Sequence, residues 1–125
     1  MARILIVDDE EALCAMCARG LSMDGHHVKT ACDGSDALDV LAREDGCFDL
    51  LLTDIRMPIM DGIALALAAA RDFPDLPILL MTGYADQRER AQGLDAIIQD
   101  VITKPFTLAV LRGAVSEALR VKAPK

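Results

Sequence analysis

Two rhythms alternate along this chain. Compact apolar runs occur in "RILIVDD" (3–9), "FDLLLTD" (48–54) and "PILLMTG" (77–83). Runs of this length, closed by polar or turn residues, predict strands buried on both faces. "HVKTA" (27–31) alternates weakly and "QDVITKPF" (99–106) is ended by Pro105, which gives a second and a fifth strand. Between them the apolar positions recur at helical spacing. Residues 10–25 carry Leu13, Met16, Cys17 and Leu21 on one side, with Gly25 as the stop. Residues 34–46 predict a helix capped by Ser35 and closed by Gly46, and residues 63–73 an Ala/Leu-rich helix stopped by Pro74. Residues 86–96 predict a polar helix or helical turn. Thr107 is expected to cap a last helix with Leu108, Leu111, Val115, Ala118 and Leu119 on one side.

Strand and helix thus alternate five times. That order implies an α/β fold, a doubly wound parallel sheet with right-handed crossovers and helices on both faces. Ligands of such sheets sit beyond the carboxyl ends of the strands. Those ends carry Asp8 and Asp9, then Asp54, Thr82 and Lys104. Taken alone, Asp8 or Asp9 reads as a solvated turn residue or helix cap. Five polar groups at successive strand ends favour a functional site. Three carboxylates packed together repel unless a positive charge lies between them. Oxygen donors at an open site suit Mg²⁺.

Bulk properties narrow the classes. At 125 residues there is room for one core. A composition 53% hydrophobic and 26% charged is globular, and the net charge of −7 with no basic stripe argues against gripping nucleic acid directly. The opening has only four consecutive apolar residues, too few for a signal peptide or a membrane span. Four cysteines without a secretory signal suggest reduced thiols and a cytoplasmic location.

The set "VDDE" (7–10), "LLTDIRMPIMDG" (51–62), "LLMTG" (79–83) and "VITKPF" (101–106) resembles the receiver domain of two-component response regulators. Each motif is weak alone; together, in this order over strands, they are specific. The resemblance implies a flavodoxin-like sheet of strand order 2-1-3-4-5. It implies Asp54 as the phosphoacceptor, taking a phosphoryl group from a sensor histidine kinase. Asp8, Asp9, Asp54 and the backbone carbonyl of Arg56 are then expected to hold Mg²⁺, for which Mn²⁺ can substitute. Lys104 and Thr82 would bind the phosphoryl oxygens, Pro58 and Gly62 would shape the adjoining loop, and Pro105 matches the family's cis-proline turn. The resemblance also implies a non-enzymatic signalling domain that phosphorylates and dephosphorylates only itself.

The likeness spans residues 1–121, with a tail at 122–125 and no output domain, so a stand-alone receiver is expected. Its output would be a protein contact through the fourth helix (86–96), the fifth strand and the fifth helix. The reader of that contact would be a downstream target or a histidine phosphotransferase, and the chain itself a monomer or weak homodimer. One departure stands out. Receivers couple the threonine to an aromatic on the fifth strand, where this chain has Val101. Tyr84, two residues after Thr82, is either a substitute reporter or a residue that shields the phosphate or is simply exposed on a loop, and the resemblance implies that it and Arg56 occupy positions that tune dephosphorylation. "DQRERAQG" reads as a solvated helix face, with Arg88, Glu89 and Arg90 as the alternative partner contacts.

Other readings compete. "CAMC" (14–17) raises redox or metal chemistry, but it lies inside a helix with Cys17 at a core position. Cys32 and Cys47 read as small buried hydrophobes. His26 and His27 would point to opposite sides of a strand, which disfavours a shared metal. A flavin-binding protein lacks its phosphate-cradling loop here. A phosphorylation-independent adaptor on the same scaffold is the main alternative; it gives no chemical reason to keep five active-site groups together.

Overall fold

The computed structural model describes residues 2–57, 59–83, 89, 91–94 and 96–122. Strands β1 (Arg3–Val7), β2 (His27–Ala31), β3 (Leu50–Asp54), β4 (Ile78–Thr82) and β5 (Asp100–Thr103) form one parallel sheet of order β2-β1-β3-β4-β5. This is the flavodoxin-like topology the resemblance implied. Helices α1 (Glu11–Met23), α2 (Gly34–Arg43), α3 (Gly62–Asp72) and a C-terminal helix (Leu108–Lys122) flank it. Segment 86–96 is described only in part: Glu89 and Ala91 are helical and a 3-10 turn covers Gln92–Leu94.

The run of leucines in β3 and β4 follows from their central place. Every residue of both strands is buried, so both side-chain directions must be apolar. The edge strand β2 is mostly exposed, which accounts for its weak alternation. The two faces make two cores. Leu5, Val7, Leu51, Ile55 and Leu80 pack under α2 and α3, whereas Ile4, Ile6, Leu50, Leu52 and Met81 pack under α1 and the C-terminal helix. Leu111, Val115 and Ala118 anchor that last helix, and Thr107 caps it as expected, its hydroxyl accepting from the Val110 N–H at 3.1 Å.

Several expectations need correction. The cap of α2 is Asp33, whose carboxylate accepts from the Asp36 N–H at 2.8 Å, and Ser35 lies inside the helix. Gly34 opens the helix because it abuts Met60, where any Cβ would crowd the Met60 carbonyl. In α1 the buried stripe runs through Cys14, Cys17, Gly20 and Leu21, leaving Met16 exposed. Leu108 is also exposed, lying across Gly20. Cys32 and Cys47 are exposed, contrary to their reading as buried hydrophobes.

Gly25 and Gly46 close their helices in the left-handed region, at φ 88° and 68°. Ile59 is unusual in sharing that conformation at φ 69° while its side chain is 84% exposed. A β-branched residue gains nothing there from burial and is strained by its backbone. Ile59→Asn, which tolerates positive φ, is therefore expected to raise stability by about 1 kcal/mol. A thermal unfolding midpoint unchanged or lowered in this variant would show that the loop carries no such strain.

Candidate functional site

The parallel register assembles the site. Val7 lies opposite Thr53, so Asp8 emerges beside Asp54. Asp54 pairs with Met81, which brings Thr82 one step beyond it, and Thr82 pairs with Thr103, which brings Lys104 one step further. The Lys104 N–H donates to the Thr82 carbonyl at 2.8 Å and ties the last two strand ends together. All five strand-end groups named from the sequence thus share one edge of the sheet.

Asp8 is 2% exposed and would be costly as an isolated anion. Its Oδ1 accepts from the Glu10 N–H at 2.9 Å and its Oδ2 from Lys104 Nζ at 3.1 Å. Lys104 Nζ also lies 3.3 Å from Asp54 Oδ1, so one ammonium bridges two carboxylates. Burial works against that ammonium, yet Asp54 and Asp8 outweigh it and hold the pKa above the ordinary lysine value. The Asp54 carboxylate accepts from the Ile55 N–H at 3.0 Å. Burial pushes its pKa up to about 6; Lys104 opposes the shift and Asp8 adds to it. The three acids crowd one another more than a single lysine neutralises.

The donor set fits a hard cation. Asp8, Asp9 and Asp54 each offer a carboxylate oxygen, all within 4.8 Å of one another, the only such His/Cys/Asp/Glu group among the described residues. Neither histidine belongs to it. Oxygen-only donors at this spacing suit Mg²⁺ better than a soft metal. Asp9 and Asp54 face an open cleft lined also by Glu10, Arg56, Gly83 and Lys104, with room for water and phosphate oxygens.

Gly62, which the resemblance assigns to the loop beside Asp54, opens α3. A Cβ there would collide with the Asp54 carbonyl, and its N–H donates to the Ile55 carbonyl at 2.7 Å. Asp61 caps α3 beside it, accepting from the Ala64 N–H. The Lys104–Pro105 peptide is cis. Val101 is half-buried against the core under α2 and α3. Pro58, Tyr84, Arg88 and Arg90 lie outside the described residues. The thiols of Cys14 and Cys17 are buried and pushed up to about 11, chiefly by burial, which removes the basis for a reactive pair. Among the described residues, no helix is long and apolar enough to cross a membrane.

The sequence profile of the family described as response regulator receiver domain matches residues 4–116. The chain belongs to this family. Response regulator MprA of Mycobacterium avium is 38% identical over 123 residues, covering 98% of this chain and 53% of that protein. The chain therefore spans about half the length of the curated relatives it matches. Among solved structures, a CheY-like receiver domain protein from Methanospirillum hungatei superposes with a TM-score of 0.88 at 30% identity, covering 98% of this chain and 96% of that one. TrrA of Thermotoga maritima, in complex with Mg²⁺ and BeF, gives 0.83 at 29% identity over 94% of this chain and 99% of that one. Phosphorylation-based two-component signalling is the function of the family this receiver domain belongs to.

Proposed function

We propose that the chain accepts a phosphoryl group on Asp54 from the phosphohistidine of a sensor kinase, and that the acyl phosphate switches a protein contact. The observation that carries the proposal is the convergence of Asp8, Asp9 and Asp54 with Lys104 Nζ 3.3 Å from the acceptor carboxylate. An Asp54 oxygen forms the new bond to phosphorus while the bond from phosphorus to the donor imidazole breaks. The electron pair leaves on the imidazole nitrogen, which takes up a proton. Such a transfer needs in-line positioning and neutralisation of the phosphoryl oxygens more than covalent help.

Asp8, Asp9, Asp54 and the Arg56 carbonyl are the groups that would hold Mg²⁺, whose charge would offset the crowded acids and the developing phosphoryl charge. Mn²⁺ would serve in its place, having similar oxygen preference. Lys104 would move from bridging Asp8 and Asp54 to contact the phosphoryl oxygens. The Thr82 hydroxyl, on a side chain 1% exposed at the same strand edge, would donate to one of them. The chain is then a phosphoacceptor and catalyses no multiple-turnover reaction on another substrate. Its readers would be a downstream protein or a histidine phosphotransferase meeting the surface of 86–96, β5 and the C-terminal helix.

Beryllofluoride, which mimics the acyl phosphate, provides the test. With Mg²⁺ it is expected to bind the wild type and shift backbone amide resonances of residues 54–56, 82–83 and 104. Binding without Mg²⁺, or equally to Asp54→Asn, would contradict the acceptor assignment.

A further inference from the structure

Thr53 precedes the acceptor, and its setting is at odds with its chemistry. Its register partners Val7 and Leu80 both belong to the apolar core under α2 and α3, as do Leu51 and Ile55 two residues to either side. Side chains on a strand alternate faces, so Thr53 shares that apolar layer, where it is fully buried. A valine would fill the same volume with no hydroxyl to desolvate, and a buried hydroxyl is unfavourable unless it is bonded. The hydroxyl bonds to one polar partner, donating to the Asp54 backbone carbonyl at 2.9 Å, with the Met57 sulfur at 3.9 Å.

That carbonyl belongs to the peptide joining Asp54 to Ile55. The N–H of the same peptide donates to Asp54 Oδ1 at 3.0 Å and also to the Met81 carbonyl at 3.0 Å. One peptide plane thus receives the Thr53 hydroxyl on its oxygen and holds the acceptor carboxylate with its nitrogen. Gly62 packs against the same carbonyl, so the plane is fixed from both sides. A hydrogen bond to a carbonyl also polarises the N–H across the amide and strengthens what that N–H holds.

We infer that Thr53 is a positioning residue for phosphoryl acceptance. Its hydroxyl fixes the 54–55 peptide and so keeps Oδ1 on the Ile55 N–H and Lys104, which sets the orientation in which the carboxylate meets the phosphorus. Rotation about the Asp54 side chain would otherwise misdirect the attack, and misplacement on this scale slows reactions strongly. The inference rests on Asp54 being the acceptor.

The test compares Thr53→Val, which keeps shape and removes the hydroxyl, with Thr53→Ser, which keeps the hydroxyl. Phosphorylation by acetyl phosphate at saturating Mg²⁺ is expected to be about tenfold slower in the valine variant. The serine variant is expected to stay within about twofold of wild type even though it loses a packed methyl group and some thermal stability. Mg²⁺ affinity should be unchanged in both. The Ile55 amide proton should move upfield in the valine variant alone, a readout that needs no phosphorylation. Valine phosphorylated at the wild-type rate, serine slowed as much as valine, or an unmoved Ile55 amide would each overturn the inference. No adduct on the wild type would remove the acceptor reading itself, and the amide shift keeps the two failures distinguishable.

Discussion

Replacing Lys104 by methionine is expected to tighten Mg²⁺ binding while nearly abolishing phosphoryl acceptance. The ammonium sits 3.1 Å from Asp8 and 3.3 Å from Asp54, so it repels any cation brought to the same oxygens. Two charges a few ångströms apart near a protein surface interact by a few kcal/mol before screening, so a gain of roughly tenfold in Mg²⁺ affinity is reasonable. Methionine retains the apolar stem and removes the charge. Without the metal, the variant leaves Asp8 buried with no counter-charge and should unfold at lower temperature near pH 7. With the metal, the phosphoryl oxygens lose a preorganised positive donor, a loss on the order of 100-fold in rate. Titration calorimetry with Mg²⁺ and phosphorylation rates at saturating metal read both effects. Weaker Mg²⁺ binding in the variant would show that Lys104 organises the acids instead of competing for them.

Asp54→Asn should make the metal-free protein more stable even as it removes the acceptor. The folded Asp54 carboxyl titrates at about 6 against an ordinary value of 3.8. A raised carboxyl pKa means that the folded state prefers the protonated form. Its effect on stability is therefore neutral below about pH 4, grows more unfavourable as pH rises to about 6, and is constant above that. Two pKa units correspond to nearly 3 kcal/mol, and the open cleft before the carboxylate lowers this to about 1–2 kcal/mol through solvent screening. The asparagine variant should unfold on the order of 5 °C higher at pH 7.5 without metal. The difference should disappear at pH 4 and shrink with saturating Mg²⁺, which neutralises the same acids. A gap that is absent at pH 7.5, or that persists at pH 4, would place the strain elsewhere.

Sequence and structure agree best where a rule depends on local pattern alone. The continuous apolar runs of β1, β3 and β4 are buried on both faces because the sheet is covered on both, and their ends could be read off directly. Thr107 caps the last helix because its hydroxyl needs only a backbone three residues away. The convergence of Asp8, Asp9, Asp54, Thr82 and Lys104 was legible because parallel strands bring their carboxyl ends to one edge. What escaped depends on contacts distant in sequence. Asp33 displaces Ser35 as a cap because Gly34 must fit beneath Met60, 26 positions along the chain. Cys32 and Cys47 are apolar enough for a core but fall on the exposed loops after β2 and α2. Lys104 was expected to meet phosphoryl oxygens, and its role in bridging Asp8 to Asp54 shows only in the assembled site. Thr53 reads as one more strand threonine until its hydroxyl is seen on the Asp54 carbonyl.

The central claim is that Asp54 is phosphorylated in a Mg²⁺-dependent reaction, and intact mass tests it most directly. After incubation with acetyl phosphate and Mg²⁺, the wild type should gain one phosphoryl group, the metal-free sample none, and Asp54→Asn none. An adduct that survives Asp54→Asn, or its complete absence from the wild type with Mg²⁺ present, would contradict the account and favour a phosphorylation-independent adaptor on the same scaffold.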